Sequence, residues 1–157
     1  MRVHLCAVGR LASRSHERAL VNDYLARFGQ VGRGLGWRFG GETEVEDKKG
    51  GGPAGEAGLL QAALPPGGVT VCLDERGADL SSPEFAARLS RWADQGRGDV
   101  AFVIGGADGI DPSLRNAADL SICFGKMVWP HKLVRVMLAE QLYRAATIQA
   151  GLPYHRL

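Results

Sequence analysis

Short apolar runs alternate with amphipathic stretches from one end of the chain to the other. Residues 2–8 are apolar enough for a first strand, and Gly9 follows at a turn. From Ser15 to Phe28 the spacing is helical. Leu20, Tyr24, Leu25 and Phe28 share one face, and Glu17, Arg18, Asn22 and Asp23 lie elsewhere. Residues 35–45 predict a second strand, weakened by its glycines. The polar, glycine-rich stretch from Glu46 to Pro53 predicts a mobile loop. Residues 55–64 predict a short helix around Leu59, Leu60 and Leu64, and Pro65-Pro66-Gly67-Gly68 breaks it. Val69–Leu73 predicts a buried strand that ends at Asp74-Glu75-Arg76-Gly77. Ser81 or Ser82 is placed to cap a helix running to about Asp94, with Phe85, Leu89 and Trp92 in the core. Val100–Ile104 is a further buried strand, ending in Gly105-Gly106-Ala107-Asp108-Gly109. A helix over 112–119, a short strand over Leu120–Phe124 and a long amphipathic helix over Lys132–Ala150 complete the pattern. Gly151 and Pro153 stop that last helix.

Strands alternating with helices predict an α/β fold, a mostly parallel sheet with helices on both faces. No internal repeat and no linker interrupts the chain, so a single domain over 1–157 is expected.

A length of 157 residues is about that of one domain. A net charge of +2 permits a nucleic-acid partner only if the positive groups cluster. Cys6, Cys72 and Cys123 are odd in number, form no CxxC pair and sit in apolar strands. They read as buried hydrophobes in a reducing compartment, and neither a disulfide framework nor a metal site is expected. The first residues lack the long apolar region of a signal peptide, and no run approaches the ~20 apolar residues of a membrane span. A cytoplasmic protein is expected.

In open parallel sheets, ligands bind beyond the carboxyl ends of the strands. Two such ends carry unusual residues, Leu73–Gly77 and Ile104–Gly109; glycines there let a ligand approach the backbone, and tight turns are the alternative. Neither a GxGxxG fingerprint nor a P-loop is present, which weakens a dinucleotide or nucleotide-triphosphate reading. Gly125-Lys126-Met127-Val128-Trp129-Pro130-His131 leads into the long helix, where the dipole disfavours a cationic His131. The tail, Pro153-Tyr154-His155-Arg156-Leu157, puts an aromatic ring, an imidazole and a guanidinium in a row, the groups that hold an unstacked base and its phosphates.

In this order VHLCAVGR, LDERG, FVIGGADG, WPHKLVRVMLAEQLYRA and PYHR resemble the RlmH family of SPOUT methyltransferases, over nearly the whole chain. The stretch from Pro130 to Arg156 is the most specific. The resemblance implies a C-terminal segment threaded into a trefoil knot and a homodimer with each cofactor site close to the partner subunit. It implies transfer of a methyl group from S-adenosylmethionine to N3 of a pseudouridine in 23S ribosomal RNA, on assembled ribosomes. It assigns the cofactor pocket to Leu73, Gly105, Gly106 and the loop Gly125, Lys126, Met127, Val128, Trp129 and Pro130. The sequence departs from the family where Gly125 replaces a common Ser, Val128 a Thr and Trp129 a Leu, which removes two hydroxyls from the loop.

The resemblance and the tail chemistry together nominate His155, Arg156 and Tyr154 as the groups nearest the target nucleotide, acting on the partner's site. Arg135 and Arg144 are candidates for phosphate contacts or dimer salt bridges, the structural role being favoured for Arg144. Lys48 and Lys49 are candidates for phosphate contacts. Two other readings stay open: a SPOUT methyltransferase for a different RNA base, and a non-catalytic knotted protein that binds RNA or the ribosome.

Overall fold

A computed structural model describes residues 1–156. Eleven elements follow in order: β1 (Arg2–Val8), α1 (His16–Gly32), a 3-10 turn (Arg33–Leu35), β2 (Arg38–Val45), α2 (Gly52–Ala63), β3 (Val69–Asp79), α3 (Ser82–Asp94), β4 (Asp99–Ile104), α4 (Pro112–Ala117), β5 (Leu120–Cys123) and α5 (His131–Gln149). The strands form one sheet in the order β2-β1-β4-β3-β5, and every pairing is parallel. The sheet is all-parallel rather than mostly so.

Period-two alternation decides which residues meet which helices. Val3, Leu5 and Ala7 of β1, with Val100, Phe102 and Ile104 of β4, share a core with residues of α1, α3 and α5. Cys6, Val8, Ala101 and Val103 point the other way, onto Ala57 and Leu60 of α2 and Leu114 of α4. Both faces are therefore covered, as a parallel sheet requires.

The helix ends follow their sequence signals. Ser15 caps α1 by accepting from Arg18 N–H. Ser81, not Ser82, caps α3, and with Glu84 it forms a complete capping box. Phe85, Leu89 and Trp92 are buried, as expected.

Four expectations need correction. Helix α1 runs a full turn beyond Phe28, and its core residue is Val21; Leu20 is exposed. Helix α2 begins at Gly52, inside the expected loop, because Asp47 accepts from the N–H groups of Lys49 and Gly51 and folds the turn that starts the helix. Strand β2 begins at Arg38, after a turn ending in Gly36 at φ 70°. Strand β3 does not stop at Leu73. After a bulge it pairs with β5 again, so that both Leu73 and Ala78 face Ile122. Gly77 makes this return possible: a Cβ there would stand 2.5 Å from the Ile122 backbone.

Candidate active site

The carboxyl ends of β3, β4 and β5 surround a cavity of about 310 Å³, within the range of small-molecule sites (~300–1000 Å³). Strand β3 contributes Leu73 through Arg76 at its bulge, the β4 end Ile104 through Ile110, and the end of β5 with the loop after it most of the residues from Ile122 to Trp129. His131 and Val134, in the first turn of α5, close it.

Of the residues nominated for a cofactor, Leu73, Gly105, Gly106, Gly125, Met127, Val128 and Trp129 all line this cavity. Lys126 and Pro130 belong to the same loop but stand outside the wall, both exposed. The ammonium of Lys126 keeps its hydration there, and Pro130 serves as the N-cap residue of α5. The Trp129 indole N–H donates to the Phe124 carbonyl at 3.1 Å and ties the loop to the end of β5. Gly125 takes φ 87°, a left-handed turn that glycine adopts without strain. Any side chain would be strained at that angle.

The glycines after β4 form a cradle. A Cβ on Gly105 would meet the Gly109 carbonyl oxygen at 2.6 Å. Gly106 bridges Gly109, and the Glu56 carboxylate of α2 lies against its backbone, 3.0 Å from where a Cβ would stand. Burial pushes the Glu56 carboxyl up, and the nearby Asp108 and Asp47 add to the rise.

Sequence reasoning missed the ion pair beside it. Asp74 lines the cavity with only 7% of its side chain exposed, and Arg115 of α4 reaches it at 3.4 Å. Its position directly after Leu73 was the available signal. Asp74, Glu75 and Asp108 give the wall three carboxylates against two guanidiniums, Arg76 in the wall and Arg115 behind Asp74. That balance suits a cationic ligand. Among the described residues, no group of three or more His, Cys, Asp or Glu is placed to hold a metal ion.

The tail lies elsewhere. Tyr154 donates to Glu140 Oε1 at 3.0 Å, its ring packs 4.5 Å from Tyr143 at a tilt of 53°, and the Arg144 guanidinium sits 4.9 Å above it. Burial and the bond to Glu140 push the Tyr154 phenol up to about 12. His155 Nδ1 is 3.2 Å from Arg144 Nη1, and its Nε2 is buried without a partner; Arg156 is exposed. Glu140 and Arg144 lie about 14 to 20 Å beyond His131 along α5, at 1.5 Å per residue. One chain therefore brings the cofactor candidates together, and sets its own Tyr154, His155 and Arg156 apart from them.

Arg135 does not face phosphate or a partner. It is fully buried and donates to Glu42 at 3.0 Å, Glu44 at 2.6 Å and the Gly9 carbonyl at 2.9 Å, all within the chain. Arg144 pairs with Glu140 at 2.6 Å within its own helix, rather than across a dimer as expected. Cys6 and Cys72 are buried, and burial pushes both thiols up to about 11. Cys123 is only half-buried and lines the cavity. No helix among the described residues is long and apolar enough to cross a membrane.

Comparison with known proteins gives one answer. Residues 1–155 match the family model described as predicted SPOUT methyltransferase. Proteins named ribosomal RNA large subunit methyltransferase H are similar over the full length of both chains, at 64% identity in Cereibacter sphaeroides and 63% in Ruegeria pomeroyi. A probable methyltransferase from Bordetella pertussis Tohama I has the same fold, with a TM-score of 0.54 over 92% of this chain and 95% of that one, at 19% identity. With the cavity at the carboxyl end of an all-parallel sheet and a full-length match at such identity, the chain belongs to the RlmH family of SPOUT methyltransferases.

Proposed function

We propose that this chain is a single SPOUT domain over residues 1–157 that methylates large-subunit ribosomal RNA at N3 of a pseudouridine, on assembled ribosomes in the cytoplasm, with S-adenosylmethionine as donor. The cavity carries this reading. It has the volume for a nucleoside-sized ligand, a glycine cradle at Gly105 that a side chain would fill, and carboxylates to match a sulfonium and an ammonium. Bound S-adenosylmethionine supplies a methyl group activated by a positively charged sulfur. The chain supplies orientation: backbone groups of Leu73, Gly105, Gly106 and the Gly125–Trp129 loop hold the ligand, and near-contact alignment is the main requirement of an in-line displacement. Lys126 and Pro130 shape the loop from its outer side. The hydroxyls absent at Gly125 and Val128 are not required if binding runs through the backbone.

The target base meets a different set of groups. Tyr154, His155 and Arg156 offer a stacking ring, a hydrogen-bonding imidazole and a phosphate partner, yet in one chain they stand well away from the cavity. We infer a homodimer in which each tail completes the partner's site. The apolar patch of Met127 (71% exposed), Val128 (83%), Trp129 and Leu133 at the cavity mouth supports it. Lys48 and Lys49 are exposed at the same end of the sheet and suit phosphate contacts.

Calorimetric titration with S-adenosylmethionine, followed by methylation of ribosomes lacking the modification, tests the reading. Saturable binding and a methyl group mapped to one large-subunit pseudouridine are expected. Binding without methyl transfer on any RNA would instead establish a non-catalytic ribosome-binding protein.

A further inference from the structure

The proposed reaction leaves one problem: the ring nitrogen that accepts the methyl group carries a proton, and some group must take it. The cavity offers few free acceptors. Asp74 is engaged by Arg115. Glu56 lies behind Gly106 and does not line the cavity. Glu75 is exposed beside Arg76, at 3.8 Å, and Asp108 is exposed. Tyr154 keeps its own proton and donates it to Glu140. His155 lies against Arg144 on the far half of α5.

His131 differs from all of these. It lines the cavity from the first residue of α5, half-buried, and among the described residues neither ring nitrogen makes a hydrogen bond. Its Nε2 lies beside Gly9, 3.8 Å from where a Cβ would stand on that residue. The position is braced. One turn along the same helix, Arg135 donates to the Gly9 carbonyl at 2.9 Å, fixing the start of α5 to the end of β1. We propose that the His131 imidazole accepts the proton of the target nucleobase, as a catalytic base in the proposed methyl transfer.

The step balances. The ring nitrogen forms its bond to the methyl carbon while the carbon–sulfur bond breaks and its electron pair stays on sulfur. The N–H proton passes to the imidazole and from there to water. The imidazole is available because burial lowers its pKa and Arg135 and Lys132 on its own helix lower it further. The helix N-terminus acts in the same direction. Against these stand the carboxylates across the cavity, Asp74, Glu75 and Asp108, with Arg76 among them, and Glu44, which is neutralised by Arg18 and Arg135.

This inference rests on the methyltransferase reading, and the experiment separates the two. Single-turnover methylation of ribosomes is followed from pH 5 to 9 in the full-length protein and in His131→Asn, with S-adenosylmethionine affinity measured by calorimetry in both. The native rate is expected to fall on the acid side with a midpoint below 6.5. His131→Asn should lose about 10²- to 10⁴-fold in rate, lose that acid limb and keep its cofactor affinity. Added imidazole should restore part of the rate to His131→Gly. Carbon-13 spectroscopy of the ring should show titration below 6.5 in the protein alone. An active native protein with an equally active His131→Asn, or an unchanged acid limb in that variant, overturns the role of His131 alone. An inactive native protein that binds the cofactor overturns the parent reading.

Discussion

Arg135 donates to Glu44 at 2.6 Å across 91 residues of chain, from the second turn of α5 to the edge strand β2. Arg18 joins them from α1, so two guanidiniums, Arg18 and Arg135, and two carboxylates, Glu42 and Glu44, share one largely buried cluster. A buried pair of this kind is costly to break from one side, because the charge left behind loses both its partner and its water. Arg135→Ala is expected to cost about 3–5 kcal/mol and to lower Tm by roughly 2–4 °C per kcal/mol for a chain of this size. The half-exposed Asp23–Arg27 pair on α1 is the control; Arg27→Ala should leave Tm almost unchanged, because water screens an exposed pair. Thermal unfolding of the two variants checks the contrast.

Glu44 makes the same cluster sensitive to acid. Burial alone would raise its carboxyl, but the bonds from Leu11 N–H and Arg135, with the Arg135 and Arg18 charges, hold it below 4.5. A carboxyl depressed in the folded state adds stability above its unfolded pKa and loses it as pH falls through the folded one. The native protein should therefore lose stability progressively below about pH 4.5. Glu44→Gln, weaker at pH 7, should lose less over the same interval. Tm measured from pH 7 to 3 in both would show converging curves; parallel curves would refute the assignment.

The two clusters also show what a sequence can and cannot announce. Val3, Leu5, Ala7, Phe102 and Ile104 read as strands because every second residue is apolar, and both faces of β4 are buried. Gly105 and Gly106 stood out because glycine after a buried strand signals close approach. Arg135 gave no such signal. A guanidinium on an amphipathic helix reads as a solvated face, and its burial depends on two glutamates of an edge strand with a weak pattern of its own. The run of β3 past Asp74 was hidden for a similar reason. Asp74-Glu75-Arg76-Gly77 has turn chemistry, and only the tertiary placement of β5 makes it pair again. The tail's distance from the cavity is a property of α5's length, which composition does not reveal as separation.

That separation predicts how the tail fails. Deleting Tyr154–Leu157 removes the hydrogen bond to Glu140 and the tilted ring contact with Tyr143, neither of which touches the cavity. S-adenosylmethionine affinity and dimerisation should be unchanged while ribosome methylation is abolished. Mixing the truncated chain with a full-length chain disabled at Gly105 should recover activity, since a mixed dimer has one intact cavity served by one intact tail. Failure to complement would place the tail's action within its own subunit.

Gly105→Ala is expected to disable the cavity selectively. Its Cβ would stand 2.6 Å from the Gly109 carbonyl oxygen and 2.9 Å from Ile110, so the backbone of the loop must move. Gly96→Ala, at φ 74° with open space around it, carries the strain of a left-handed alanine without touching the site. Both should lose stability, but only Gly105→Ala should lose cofactor affinity, by tenfold or more, ~1.4 kcal/mol. Calorimetry on the two variants decides; equal affinities would place the ligand away from the β4 loop.

Cysteine reactivity reports on the same cavity without any substitution. A thiolate is the reactive form, and burial denies it to Cys6 and Cys72, whose thiols stand near 11. Cys123 differs in access: it is half-buried, and its surroundings include the cavity wall between β5 and the Phe124–Trp129 loop. A small alkylating reagent at pH 7.5 should therefore label one thiol per native chain, at Cys123, and all three after denaturation. Saturating S-adenosylmethionine should slow the native labelling, because the ligand covers the wall that Cys123 helps to form. Peptide mapping by mass spectrometry reads both results. Labelling at Cys123 that ignores the cofactor would mean that the reagent enters from the α3 side, where Cys123 also borders a second hollow with Leu80 and Phe85, and that the methyl donor binds without closing over β5.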